Sequence, residues 1–533
     1  VYGIFTARKI EIPELGQEGK KYLDFKGALL WAIREKKVYV FSVKLNGKYP
    51  AEIEPLRRYA LENKAKWIFQ TKEAQSFYKE DTRCSLCGTE AELYPNILSG
   101  AGINIANVDK VIFFPGVTAR NAGKAFPICA PCGEALYAAK AHVFPGLIQE
   151  ISGHQALVIP HILMSDDHGE GMDILISALS RRTRAISGAD TTEKGIIEDL
   201  SEINGISTVT FLFGEVKGQS VEDIRKVIPD VLPSRLSEIA QAMRIINEHN
   251  DELVQRHPWR TSSPPLDGSL SIIRHSLGER RYNQKSTGNR RHYTSTYVDS
   301  LNLLNAIFLS RRIPISQLYR EFAAKLSYDF LGSLNEKKDS APVNVICGNI
   351  TQMETLLRFL SITKVIDLPD GMNFATKYLN GHPGLAPLHD FLTNEAKGLD
   401  TPEKEYVFLT GLLFGKLVNI QLARKVSPQA LKWVKGLKLS GEDVSEIYIR
   451  TFNKLNDYST PKSVWSNEMK GVKDAISGLG SSIDEWNLDR SKVAYYFCLG
   501  HSLAGYYLPG KTNDETVTAT VTETSSTEEE GSN

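Results

Sequence analysis

Long apolar stretches are missing from this sequence. No run approaches the roughly 18 consecutive apolar residues that read as a membrane span, and no secretory signal peptide is visible. A membrane is therefore not among the expected partners. Catalytic signatures are equally scarce: there is no nucleophile elbow, no His-Glu-x-x-His and no carboxylate array placed for two metals. No enzymatic activity is expected. Cysteine is sparse, six residues in 533, which fits a reducing compartment. The chain opens on Val1 rather than Met, so the true start is expected upstream.

The formal net charge is zero, from 63 basic and 63 acidic residues, but the balance is uneven. Thr512 to Asn533 carries six acidic residues and no basic ones. With those six set aside, the body has 63 basic against 57 acidic residues, a net of +6. The 512–533 tail has almost no large apolar residue to bury and is expected to be disordered. A mildly basic body permits a polyanion partner. Hydrophobic and charged contents of 42% and 24% are those of an ordinary globular protein, and the length calls for about two to four domains.

The few cysteines are concentrated. Cys84-Ser-Leu-Cys87 and Cys129-Ala-Pro-Cys132 form two Cys-x-x-Cys pairs, each followed by glycine (Gly88, Gly133), with 41 residues between them. A glycine there lets the backbone turn its amides toward two thiolates. One pair alone reads as a redox motif. Two pairs supply the four soft ligands that suit tetrahedral zinc. A structural Zn2+ is expected, since no histidine or open position is implied. The alternative is buried or redox-active cysteine pairs. The gap exceeds the roughly 15–20 residues of a compact ribbon, so a Gly- and Asn-rich insertion is expected within a zinc module of about 81–135. Cys347 and Cys498 read as core residues.

Along the chain, Lys37–Lys44, Val111–Phe114, Gln155–Leu163 and Ser207–Phe213 read as strands, and Asn46-Gly47 as a turn. Glu54–Tyr78 and Glu134–His142 read as helices. Residues 1–260 are expected to be an α+β domain, and Pro258–Gly268 a proline-rich break. From Thr296 the period becomes helical, with helices expected at Tyr297–Leu309, Ile315–Phe330, Met353–Ile362, Glu403–Arg424, Pro428–Leu437, Ser440–Leu455, Val464–Leu479 and Asp489–Tyr507. The fold class is thus an α+β amino-terminal part with an inserted four-cysteine zinc-binding module, a basic linker at 261–297, and an all-α helical bundle at 298–511. Phe408-Leu-Thr-Gly411 with Gly415, and Phe497-Cys-Leu-Gly500 with Gly505, put glycine on apolar helix faces. Each costs about 1 kcal/mol relative to alanine, so close helix–helix approach is expected there.

Two stretches suit nucleic acid. Arg274 to Tyr297 holds Arg274, Arg280, Arg281, Lys285, Arg290 and Arg291 against one Glu, interleaved with tyrosines. Cations neutralise phosphates and aromatics stack on unpaired bases. The bland alternative is a solvated interdomain loop. The cysteine-flanked insertion carries Asn104, Asn107, Lys110, Arg120, Asn121 and Lys124 among glycines, where amides can read base edges. Gly100-Ala-Gly102 lacks the strand and Lys-Ser/Thr context of a nucleotide loop. Asp166, Asp167 and His168, with Glu170 and Asp173, invite a metal-nuclease reading, but such a cluster is more often a loop or helix cap.

A split Cys-x-x-Cys site followed by a helical half, with the helix Tyr406–Leu417 and the segment Ala494–Gly500, resembles the large subunit of the type I-B CRISPR effector complex, Cascade (the b-subtype Cas-eight family), over about residues 20–510. The resemblance implies a non-catalytic prokaryotic, cytoplasmic subunit that recognises the protospacer-adjacent motif in duplex DNA. It implies help in opening that duplex and stabilising the R-loop, and in recruiting the helicase-nuclease. Its implied partners are the handle-binding, backbone and small subunits, the guide RNA and the target double-stranded DNA. The helical end resembles the small subunit, and Met353 and Met372 are the methionines placed to start such a product internally. Residue chemistry leaves two other classes open: a stand-alone zinc-ribbon DNA-binding protein and a metal-dependent nuclease.

Overall fold

The computed structural model describes residues 10–11, 22–23, 44, 46–59, 83–91, 93–94, 115–116, 126–162, 195–198, 200–201, 206–217, 220–248, 270–278, 300–336, 338–459 and 463–509. They fall into two compact units, 1–139 and 140–533. The expected strand Val111–Phe114, the break at 258–268, nearly all of the strand at 37–44 and the acidic tail from Thr512 lie outside the described residues.

In the first unit, β1 (Ile10–Glu11) pairs antiparallel with β2 (Tyr22–Leu23), and β3 (Leu93–Tyr94) with β4 (Ile128–Cys129). Asn46-Gly47 forms the expected turn, with φ of 50° and 80°, both in the left-handed region that a tight Asn-Gly turn uses. Residues 54–59 are helical, as expected for the start of Glu54–Tyr78. Helix α1 (Ala130–His142) follows β4 directly.

The second unit opens on a four-stranded antiparallel sheet, β5 (Ile148–Ile151), β6 (His154–Ile162), β7 (Ile206–Lys217) and β8 (Ser220–Val231), paired in chain order. On β7, Val209, Phe211 and Phe213 are buried while Thr208, Thr210 and Leu212 are half-exposed, the period of two that a one-sided sheet demands. β8 is not legible in the sequence because SVEDIRKVIPDV does not alternate and contains Pro229. It is an edge strand, where proline is tolerated. Helix α2 (Pro233–Glu248) leaves the sheet. Its Arg235 is buried and donates to the carbonyls of Ile307 (2.8 Å) and Thr363 (3.0 Å), while pairing with Glu238 at 2.7 Å.

The main helices that follow are α3 (Ile272–Leu277), α4 (Ser300–Phe308), α5 (Ile315–Ser333), α6 (Ala341–Ile362), α7 (Pro402–Ala423), α8 (Gly441–Asp457), α9 (Asn467–Gly480) and α10 (Arg490–Tyr507). Starts follow side-chain caps: Thr401, Ser440, Ser466 and Asp489 each accept from a first-turn N–H. Helix α6 begins well before the expected Met353. Pro342, Asn344, Gly348 and Asn349 interrupt the apolar period of its first half, while the buried Thr351 and Thr355 donate to the carbonyls four residues back (2.8 and 2.9 Å). Met353 is fully buried in the middle of α6, whereas Met372 is 68% exposed between helices.

One hydrophobic core runs from Leu147 to Leu508. Phe211 of the sheet stacks on Phe308 of α4 at 4.4 Å, and Arg235 ties α2 to the carboxy-terminal ends of α4 and α6. The strand-to-helix change expected across 261–297 is thus a change of local structure inside one core: the sheet's inner face needs a cover, and the first helices supply it. Cys347 and Cys498 are core residues, 1% and 0% exposed.

Helices α7 and α10 form the centre of this core. A methyl group at Gly411 would overlap the carbonyl oxygen of Phe497, and one at Gly500 that of Phe408; at Gly415 it would meet the carbonyl of His501 at 2.5 Å. The glycines are packing residues, as expected from their apolar faces, and Gly505 is half-buried nearby in sequence. Helix α7 is long and apolar enough to cross a membrane by composition alone, but 78% of that stretch is buried in the protein. Its two ionisable residues deepest in the core are both partnered. Lys416 donates to the carbonyls of Leu508 (2.8 Å) and Pro509 (3.0 Å), and burial lowers its pKa. Glu405 is fully buried and accepts from the N–H groups of Phe374 (2.8 Å) and Ala375 (2.7 Å).

This centre is open to two tests. Gly411→Ala and Gly500→Ala each gain about 1 kcal/mol of helix propensity but drive a methyl into backbone, an overpacking cost of about 1–3 kcal/mol or more. The overlap wins because a carbonyl cannot rotate away, so thermal unfolding should move to lower temperature; a rise would refute the close approach. For Glu405, burial outweighs the two N–H donors and lifts the pKa to about 7, above the ordinary value of about 4.3. The folded state therefore binds the proton more tightly, so this group's stabilisation is complete below about pH 4 and is lost as pH rises through about 7. Urea unfolding should show stability falling more steeply from acid to neutral pH in the parent than in Glu405→Gln.

Candidate metal centre

The four cysteines of the two pairs converge. Their sulfurs all lie within 4.8 Å of one another, with Cys87 Sγ 3.7 Å from Cys129 Sγ. A tetrahedral ion with metal–sulfur distances of about 2.3 Å requires sulfurs about 3.8 Å apart, so the set is already near that geometry. The 3.7 Å separation also excludes a disulfide between these two, which needs about 2.05 Å.

Local backbone chemistry builds the first knuckle. Arg83 and Glu90 form an antiparallel bridge, the Cys84 N–H donates to the Thr89 carbonyl (3.0 Å) and the Gly88 N–H to the Cys84 carbonyl (2.9 Å). Gly88 has φ +72°, a conformation open to glycine at no steric cost. The tight turn aims N–H groups at sulfur: Leu86 and Cys129 donate to Cys84 Sγ at 3.5 and 3.4 Å. The second knuckle is built differently. Cys129 ends β4 and Cys132 sits in the first turn of α1, and Gly133 lies within that helix. The turn expected at Gly133 is corrected: a strand passing directly into a helix brings Cys132 round, and the helix N-terminus favours negative charge there.

The electrostatics are those of four thiols crowded without a counter-charge. Burial pushes Cys84 up, but N–H donors from Cys87, Cys129 and Leu86 outweigh it and bring it down to about 6. Hydrogen bonding with Thr89 lowers Cys87. Burial raises Cys129, and the hydrogen bond with Cys129, then burial, pushes Cys132 up to about 12. Four thiolates cannot coexist here without a cation to screen them. The donor set therefore fits a metal ion held by Cys84, Cys87, Cys129 and Cys132. With all four positions taken by protein, such an ion would serve structure and leave no open coordination site.

Among the described residues the supporting core is small: Cys84, Leu93, Ile128 and Cys129, with Phe126, Cys132 and Leu136 packed against it. A metal ion bound by the folded cluster would add its binding free energy to folding. One tightly held metal ion per chain is expected by elemental analysis. Chelation, or Cys84→Ser, should raise amide exchange at 83–91 and 126–136 while leaving 402–507 protected. Unchanged exchange in the first region would show that the metal carries no structure.

Of the residues assigned to nucleic acid, Arg274 alone is described. It is half-buried in α3, its guanidinium lying against Gly153 in the β5–β6 turn, with Cζ 3.1 Å from where a Cβ would sit. Arg280, Arg281, Lys285, Arg290 and Arg291 lie outside the described residues. So do Asn104, Asn107, Lys110, Arg120, Asn121 and Lys124, and the acidic group Asp166, Asp167, His168, Glu170 and Asp173.

Two family models match the chain. One is the central domain of CRISPR-associated protein TM1802, over residues 81–231; the other is the carboxy-terminal domain of the same protein family, over residues 280–515. No curated protein and no solved structure matches. The first match takes in all four cysteines and the whole four-stranded sheet, and the second takes in α4 through α10. With a thiolate cluster and a glycine-packed helical core both inside the matched segments, the chain is a CRISPR-associated protein with the central and carboxy-terminal domains of the TM1802 family.

Proposed function

We propose that this chain is the non-catalytic large subunit of a type I-B RNA-guided surveillance complex, working in the cytoplasm of a prokaryote. The observation that carries this reading is the joint match: one CRISPR-associated family accounts for both the cysteine module and the helical half. In this role the chain recognises the protospacer-adjacent motif in duplex DNA, helps to open it, stabilises the R-loop and helps to recruit the helicase-nuclease. Its partners are the handle-binding, backbone and small subunits, the guide RNA and the target DNA. The division of labour is that of RNA-guided recognition, in which protein reads a short motif and shape while guide pairing reads sequence.

Zinc is the proposed metal, because four thiolates at tetrahedral spacing suit it. It clamps the base of the insertion that holds Asn104 and Asn107, the residues proposed to read the motif. If the gene also yields a small subunit by internal initiation, Met372 is the better start. Initiation at Met353 would discard the first half of α6 and expose the rest of its buried face.

The test is co-purification of the tagged chain from its native host, with sequencing of any bound RNA. Repeat-derived guides together with several further proteins are expected; a chain recovered alone and free of RNA would refute the reading and favour a stand-alone DNA-binding protein. Within a recovered complex, alanine at Arg280, Arg281, Arg290 and Arg291 should weaken binding to all DNA sequences and flatten its salt dependence. Asn104→Ala or Asn107→Ala should shift motif preference.

A further inference from the structure

The chain carries two stretches of opposite charge. Thr512 to Asn533 holds Asp514, Glu515, Glu523, Glu528, Glu529 and Glu530 and no cation, and residues 516–533 lie beyond the matched domains. Between Glu405 and Glu442 the reverse holds, with six cations and no acid. Lys416 is buried and occupied as described. The other five, Arg424, Lys425, Lys432, Lys435 and Lys438, are exposed and lie between the end of α7 and the start of α8.

Few of these cations are met by the rest of the fold. Among the described residues only Lys435 has an ion pair, with Asp443 at 2.5 Å. Asp339 touches the segment through Ser427, whose Oγ donates to it at 3.4 Å. Arg424 is held over the Tyr458 ring, 5.0 Å from its centroid, rather than by a carboxylate. The base beneath them is fixed. Ala430, Leu431, Val434 and Leu437 are buried, and Lys435, Gly436 and Leu437 make a left-handed turn with φ of 46°, 64° and 66°. Ser327 Oγ pins that turn by donating to the Gly436 carbonyl at 2.6 Å.

The fold also delivers the acids to this place. Gly411 meets Phe497, Gly415 meets His501 and Lys416 reaches Leu508, so α7 and α10 run side by side in the same direction and finish together. Lys416 Nζ holds the carbonyls of Leu508 and Pro509. Arg424 lies eight residues further on, about 12 Å away at 1.5 Å of rise per residue. Asp514 and Glu515 follow within six residues of Pro509. A flexible coil of the length of 512–533 spans about 25 Å root-mean-square, so the whole acidic stretch can reach the cations. Tethering holds it there at an effective concentration on the order of millimolar. A solvated lysine run needs no partner and neither does an acidic tail; what joins these two is that the chain brings one to the other.

We propose that residues 512–533 dock on the cations of 424–438 in the same chain, an intramolecular cover held by charge. The contact masks this surface in the free chain. It yields to an anionic partner that competes for the cations, and to salt, because the Debye length falls from about 10 Å at 0.1 M to about 3 Å at 1 M. It does not rest on the surveillance-complex reading.

The test is zero-length carbodiimide cross-linking of the full chain at low salt, read by mass spectrometry, with lysine acetylation rates as a second readout. Amide links from the acidic stretch to Lys425, Lys432 and Lys438 are expected, unchanged on dilution and lost at about 1 M salt. The comparison variant combines Asp514→Asn, Glu515→Gln, Glu523→Gln, Glu528→Gln, Glu529→Gln and Glu530→Gln, none of them a core residue. In it the three lysines should acetylate about threefold faster, the change on removing a cover formed in about two thirds of molecules. The exposed Lys44 and Lys364 should keep their rates. Links spread equally over Lys44 and Lys364, or acetylation of the three lysines unchanged in the variant, would overturn the proposal. Links that fade on dilution would show the acids of a second copy, and links chiefly to Lys285 would place the acids on the 274–297 stretch; either result overturns it as well.

Discussion

The second unit depends on how closely α7 and α10 approach. Without Cβ atoms at Gly411, Gly415 and Gly500, each helix lies on the other's backbone carbonyls. Closeness fixes the crossing, and the crossing sets where every other helix can pack. It also explains the composition of α7. A helix buried on nearly all sides is hydrophobic all round, and its two deepest ionisable groups are spent on backbone rather than on ion pairs. Glu405 holds the N–H groups of Phe374 and Ala375, and Lys416 holds the last carbonyls after α10. Both act as caps inside the core, where an unmet N–H or C=O would cost about 1–3 kcal/mol.

The first unit solves stability in a different way. Its described strands are two residues long, and its cysteine module packs around four fully buried side chains. Among its described residues the apolar cluster is small, and four sulfurs gathered by turn geometry and N–H donors lie at its centre. A metal ion held by these four sulfurs would tie together the two ends of the segment between the cysteine pairs.

Much of this architecture was legible in the residues, for identifiable reasons. Helices α7, α8 and α10 show strong starts, with Thr401, Ser440 and Asp489 ahead of them, and their observed bounds lie within about two residues of the periodic pattern. The paired cysteines announced their cluster because ligand spacing is local chemistry. What escaped had weak local signals. β8 is an edge strand with a proline, and the first half of α6 interrupts its apolar residues with Pro342, Asn344, Gly348 and Asn349. Gly133 looked like the equivalent of Gly88, yet one sits in a helix and the other in a left-handed turn.

The sequence by itself determined the helical half, the four-cysteine cluster and the glycine windows, because each is written in short-range spacing that physical chemistry reads directly. Only the tertiary structure decided that the sheet at 148–231 belongs to the helical core, that Arg235 closes two helix ends, and that the cations of 424–438 lie outward on a strained turn. Those outcomes join residues far apart in the chain, where no local period carries information. Contact between distant surfaces, not the preference of any one segment, settles them.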